Sequence, residues 1–107
     1  ILNFKLKIML KQVHAYIKGD VIGVGFRAWT KIQTKTIKVT GWVRNSFENE
    51  HMFGKGGGVE ALFQGEQDDV EKMLELVKTG PSVSRVDDVE IYWQEPKEIF
   101  EGFEIRK

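Results

Sequence analysis

The stretch from Gly19 to Arg27 contains the residue types that bind an anion. It reads GDVIGVGFR, and its arginine falls where a helix is predicted to begin. A helix start leaves backbone N–H groups without partners and carries the positive end of the helix dipole, so a phosphate fits there. Gly23 and Gly25 allow close approach and positive φ, and the Arg27 guanidinium can grip two phosphate oxygens. The stretch predicts a phosphate-binding loop, although many purely structural turns share these residue types.

The composition limits the classes of partner. The 107 residues carry 16 Lys and Arg and 16 Asp and Glu, so anion affinity must come from a local arrangement, and we expect no nucleic-acid partner. The absence of cysteine excludes a disulfide framework, thiol catalysis and a thiolate metal site. No apolar run reaches the roughly 18 residues of a membrane span, and no signal-peptide pattern opens the chain. We therefore expect a single cytoplasmic domain without membrane association.

Hydrophobic periodicity predicts a mixed fold. The clearest helix spans residues 67–79, where Val70, Met73, Leu74 and Val77 recur at helical spacing. Strands are predicted at residues 10–18, 39–46, 59–64, 86–93 and 102–106, and a second helix at 27–38. The resulting βαββαβ order predicts an α+β sandwich, in which a mostly antiparallel sheet of four to five strands carries two helices on one face.

Two further segments leave alternatives open. Residues 1–8 alternate as a half-buried strand does, and they are either an extra strand or sequence upstream of a start at Met9. We divide the chain into an extension at 1–9 and a domain at 10–107. Residues 47–58 are polar and glycine-rich, which predicts a long hairpin loop. We expect a monomer, with a strand-mediated or swapped dimer through residues 1–8 or 47–58 as the alternative.

Two motifs together carry a family resemblance. The stretch from Gly19 to Arg27, followed by GWVRN at 41–45, resembles the acylphosphatase family, and the likeness covers residues 10–107. The resemblance implies a ferredoxin-like fold and hydrolysis of a small-molecule acyl phosphate without metal or cofactor. Water would be oriented by Asn45. Phosphoryl binding would fall to Arg27 and to the loop amides of Ile22, Gly23, Val24, Gly25 and Phe26.

Three features depart from the family pattern. Ile22 stands where glutamine is common, Lys38 stands where a glycine is common, and the 47–58 segment is longer than a compact turn. A positive φ would strain Ile22, and a left-handed helix end at Lys38 would cost about 1 kcal/mol. These departures favour the alternative of a non-catalytic, ferredoxin-like anion-binding or interaction module. A third interpretation is the acylphosphatase-like part of a larger carbamoyl-transfer maturation protein.

The remaining polar and aromatic candidates are predicted to be structural. Strand alternation points Arg44 to the sheet face opposite Asn45. It places His14 in the polar phase of its strand, where we expect a solvated or hydrogen-bonded surface residue and not a ligand. A carboxylate at Asp20 would repel phosphate, so we expect it to face solvent.

Overall fold

Residues 10–107, which the computed structural model describes, form five strands and three helices. The strands are β1 (Lys11–Asp20), β2 (Thr40–Ser46), β3 (Gly58–Gly65), β4 (Arg85–Gln94) and β5 (Phe103–Arg106). The helices are α1 (Phe26–Thr36), α2 (Glu50–Phe53) and α3 (Gln67–Thr79). The strand predicted within residues 1–8 lies outside this part of the chain. Over the rest, the predicted βαββαβ order and its short final strand are confirmed.

The strands form one mixed sheet in the order β4-β1-β3-β2-β5. All neighbouring pairs are antiparallel except β2 and β5, which run parallel. The prediction of a mostly antiparallel sheet is therefore confirmed, with one parallel edge pair. This pair carries the chain end beside the end of β2.

The core lies between the sheet and the helices α1 and α3. All four residues of the predicted α3 stripe are buried, because a spacing of three and four residues keeps them on one side of the helix. They pack over alternate residues of the sheet, each of them fully buried: Val13, Ala15, Ile17, Val43, Val59, Ala61 and Phe63. Burying a side chain of this size contributes about 1.5–3 kcal/mol. The core therefore fixes the register on which the candidate site depends.

The opposite sheet face is polar and aromatic. Glu60 lies there at 3% exposure, accepting a hydrogen bond from Arg44 Nη2 at 3.1 Å, and its Oε2 lies 2.7 Å from His14 Nε2. The predicted orientation of Arg44 is confirmed, and of the two roles expected for His14 the structure shows the hydrogen-bonded one. The burial of Glu60 was not predicted, because strand alternation gives the face of a side chain and not what covers it.

The 47–58 segment contains more structure than predicted. The short helix α2 interrupts it, with the N–H groups of Met52 and Phe53 bonded to the Asn49 carbonyl. Gly54, at φ 77°, ends the helix, and the Phe53 ring lies 5.9 Å from the Tyr16 ring on the polar sheet face. A helix of one turn shows no periodicity, which is why the sequence pattern indicated a loop.

The helix α1 ends earlier than the predicted boundary at Lys38. Its last residue is Thr36, and Ile37 turns to an extended conformation at φ −92° and ψ 119° while its N–H bonds the Gln33 carbonyl. No non-glycine residue within 10–107 has a positive φ, so the left-handed helix end considered for Lys38 is absent. Extended backbone suits the β-branched Ile37, and Lys38 carries no such strain.

Candidate active site

The start of α1 has unoccupied hydrogen-bond donors. Gly25 precedes the helix with φ 76° and ψ 20°, and neither a capping side chain nor an acidic residue satisfies the first turn. The Trp29 N–H bonds the Gly25 carbonyl at 3.0 Å. The N–H groups of Phe26, Arg27 and Ala28 precede that bond and have no partner within the helix. They form the positive end of the α1 dipole, which favours an anion.

The loop before α1 is open on its outer side. Gly23 and Gly25 both have a positive φ, at 75° and 76°, and a Cβ added to either would meet nothing within 4 Å. Their backbone conformation therefore requires glycine, whereas crowding does not. Because both residues are exposed, a ligand has room to approach the loop amides.

Apolar residues on both sides anchor this loop. Val21 and Phe26 are each 1% exposed, and Ile22 and Val24 pack partly buried against the core. Ile22 lacks the positive φ that would have strained it. The strand β1 continues through Gly19 to Asp20, so the loop is shorter than the motif that predicted it.

Arg27 and Asn45, which the family resemblance assigned to one site, lie near each other. They line one cavity of about 370 Å³. Asn45 lies opposite Val59 and in the same phase as the buried Val43, so its side chain belongs to the helix-covered face at the end of β2. The other residues that line the cavity are Arg44, Ser46, Phe47, Glu48, Asn49 and Lys107. The predicted loop residues 22–26 lie outside this lining and directly precede Arg27.

The side chains of Arg27 and Asn45 are not held by other residues that the structure describes. Within residues 10–107, the Arg27 guanidinium has no carboxylate oxygen within 4.0 Å, and neither Arg27 nor Asn45 makes a side-chain hydrogen bond. Arg44 differs, because it is paired with Glu60 and lies 5.2 Å from the centre of the Trp42 ring. The arrangement gives one cation and one amide that remain available to a ligand.

Sequence reasoning missed two members of this cavity. Arg44 was predicted to be structural, and it also reaches the cavity rim at the end of β2. Lys107 was not considered, because its position depends on the parallel pairing of β2 with β5. Asp20 is exposed, as the sequence predicted, and Trp42 is buried, with 7% of its surface exposed. Among residues 10–107, no group of three or more His, Cys, Asp or Glu residues is arranged to hold a metal ion, and no helix is both long and apolar enough to cross a membrane.

Comparison with known proteins identifies the family. The acylphosphatase family model matches residues 13–105. An acylphosphatase of Salinibacter ruber is 38% identical over 91% of this chain and 94% of its own length. The structure of an acylphosphatase from Coxiella burnetii superposes with a TM-score of 0.80 and 26% identity, covering 94% of this chain and 96% of that one. The chain therefore belongs to the acylphosphatase family.

A larger protein contains a similar domain. The crystal structure of T. kodakarensis HypF matches with a TM-score of 0.73 and 26% identity, over 90% of this chain and 12% of that protein. The same fold thus occurs as a small part of a long chain. The Salinibacter and Coxiella proteins are matched over nearly their whole length.

Proposed function

We propose that this chain hydrolyses acyl phosphates at the start of α1, as membership of the acylphosphatase family implies. The amides of residues 22–27 and the Arg27 guanidinium hold the phosphoryl group, and the Asn45 side chain orients the attacking water. One observation carries the assignment: Arg27 and Asn45, from different elements, line one cavity beside a helix start without acidic residues.

The reaction balances without a further reactant. A water oxygen forms a bond to phosphorus, the bond from phosphorus to the acyl oxygen breaks, and its electron pair leaves with the carboxylate. Both water protons pass to the phosphate, so an acyl phosphate dianion and water give a carboxylate and dihydrogen phosphate. The carboxylate is a stable leaving group and needs little help from a general acid.

The residues act on charge and orientation. Preorganised N–H donors and a guanidinium stabilise the negative charge on the transferring phosphoryl oxygens. Each such donor is worth about 3 kcal/mol of barrier. A neutral amide supplies orientation, because a held water attacks more often in line than a free one.

The non-catalytic alternative loses its main structural support. It rested on strain at Ile22 and Lys38 and on the long 47–58 segment. Neither residue has a positive φ, and α2 gives part of the segment a defined structure. A binding-only module would be stabilised by phosphate in a thermal shift and would release none from an acyl phosphate.

The direct test is hydrolysis of benzoyl phosphate by the wild-type protein in EDTA and in water labelled with heavy oxygen. We expect turnover with the label in inorganic phosphate, since water attacks phosphorus. Label in benzoate would mean attack at the carbonyl carbon and would contradict the role of Asn45. Phosphate-dependent stabilisation without turnover would leave the binding module as the function.

We also propose that the chain works as a monomer. Arg27 and Asn45 both come from one chain, so the site needs no second copy. Sedimentation at assay concentration should give one species with the mass of a single chain. A cytoplasmic location remains a prediction.

A further inference from the structure

The candidate cavity is larger than its phosphoryl end. At about 370 Å³ it falls in the range of small-molecule sites, roughly 300–1,000 Å³. Arg27 and Asn45 occupy one part of it, and the remaining lining includes Phe47, Glu48 and Lys107. If the phosphoryl group lies at the α1 start, this remainder is the space available to the acyl group.

Lys107 directly follows β5 and lines the same cavity as Asn45. β5 pairs in parallel with β2, with Ile105 opposite Val43 and Arg106 opposite Arg44. β5 ends at Arg106, so Lys107 lies one residue beyond the last of these pairs. Lys107 therefore reaches the cavity that Arg27 and Asn45 line from the end of the strand next to β2.

The charges of the cavity are unevenly compensated. Arg44 is neutralised by Glu60, and the proposed function assigns Arg27 to the phosphoryl group. Within residues 10–107, Lys107 has no carboxylate oxygen within 4.0 Å of its ammonium group, and Glu48 is likewise unpaired. The Lys107 ammonium and the Glu48 carboxylate thus line the same cavity without ion-pair partners in the described part of the chain. This combination of one cation and one anion suits a ligand group with a single negative charge better than a group with two.

We propose that Lys107 makes this site selective for acyl phosphates whose acyl group carries a second, singly charged anionic group such as a carboxylate. The inference rests on the proposed function, since it takes the phosphoryl group to lie at Arg27. Lys107 is exposed. Its contribution should therefore be the modest one of a solvated ion pair, about three- to five-fold in kcat/KM.

The test compares benzoyl phosphate with para-carboxybenzoyl phosphate in the wild type and in Lys107→Gln. The preference for the carboxylated substrate should fall about three- to five-fold in Lys107→Gln. It should persist in Lys107→Arg and in Lys97→Gln, whose cation lines a different cavity. Glu48→Gln should raise the preference by removing a repelling charge. An unchanged preference in Lys107→Gln overturns the proposal.

Further measurements separate the proposed role of Lys107 from the proposed hydrolysis and define the charge of the preferred anionic group. A para-phosphonobenzoyl phosphate preferred over the carboxylated substrate would overturn selectivity for a single charge. Binding of phenacylphosphonate and its para-carboxy derivative, by calorimetry, measures the role of Lys107 without turnover. Equal loss of affinity for both compounds in Lys107→Gln would contradict it. Absence of benzoyl phosphate turnover in the wild type would instead contradict the proposed function.

Discussion

The starts of α1 and α3 differ in charge and in backbone conformation, because Gly25 before α1 is left-handed whereas Glu66 before α3 is extended. In α3 the second and third helical residues are Asp68 and Asp69. The same positions in α1 hold Arg27 and Ala28, and no acidic residue lies in that first turn. Neither start has a capping side-chain hydrogen bond. Carboxylates thus occupy the positive end of α3, while that of α1 is left to a ligand.

The difference indicates that keeping a helix start available to an anion costs helix stability. A carboxylate in the first turn of a helix stabilises it by about 0.3–1 kcal/mol, and a cation there is unfavourable. α3 gains this term and serves the core through its buried stripe. α1 lacks this stabilising carboxylate, so its N–H donors and Arg27 remain available to an anion. Substitutions at the two helix starts test this contrast, and substitutions elsewhere in the chain set its scale.

The largest effect should follow from Arg27→Ala. The variant loses the cation at the α1 start, so we expect kcat/KM for benzoyl phosphate to fall about a thousand-fold or more. The matched control is Lys72→Ala, which removes an exposed cation from α3 and should change activity less than two-fold. Folding of both variants is checked by circular dichroism. Arg27→Ala activity within ten-fold of the wild type would remove the basis for the contrast.

The next effect concerns the water that attacks phosphorus. Asn45→Ala should lower kcat about a hundred-fold and leave KM within a few-fold, because Asn45 acts on the water and not on the bound phosphoryl group. Asn49→Ala is the control within the same cavity, and its amide bonds Ser46 at 3.5 Å. Steady-state kinetics separates the two constants. A rise in KM without a change in kcat would instead assign Asn45 to substrate binding.

A smaller effect should appear when α1 is given the charge pattern of α3. Ala28→Glu places a carboxylate at the third helical position, which should stabilise the fold by about 0.3–1 kcal/mol and weaken phosphate binding several-fold. Asp69→Asn is the reciprocal change, and it should lose similar stability without altering activity. Urea unfolding and thermal shifts with phosphate measure both properties. The contrast would be refuted if Ala28→Glu bound phosphate as the wild type does.

The smallest effect concerns Tyr16, on the sheet face opposite α1 and α3, and gives a baseline. The pKa of Tyr16 is raised above its ordinary 10.0, first by burial and then by the charge of Glu60. The unfolded chain therefore loses this proton first, so the contribution to stability is complete below about pH 10 and declines above it. Between about pH 9 and pH 11, the Tm of Tyr16→Phe should fall less than the Tm of the wild type, and the two declines should differ by about 2 °C or less. An identical decline would contradict the assignment, and activity should not change.

Local patterns predicted most of the fold and half of the site. The stripe of α3 and the alternation of β1 and β3 follow from side-chain periodicity, and Arg27 follows from its place after two glycines. The approach of Asn45 to Arg27 came from the family resemblance, because it depends on packing between distant segments. The parallel pairing that brings Lys107 to the cavity leaves no local signal, and neither does α2.

Phosphate titration of isotope-labelled protein, followed by amide chemical shifts, tests the contrast between the helix starts most directly. We predict saturable shifts at the amides of residues 22–28 and at Arg27 Nε, with no response at residues 67–70. Saturable shifts at the α3 start, or scattered shifts that leave the α1 start unchanged, would contradict the account.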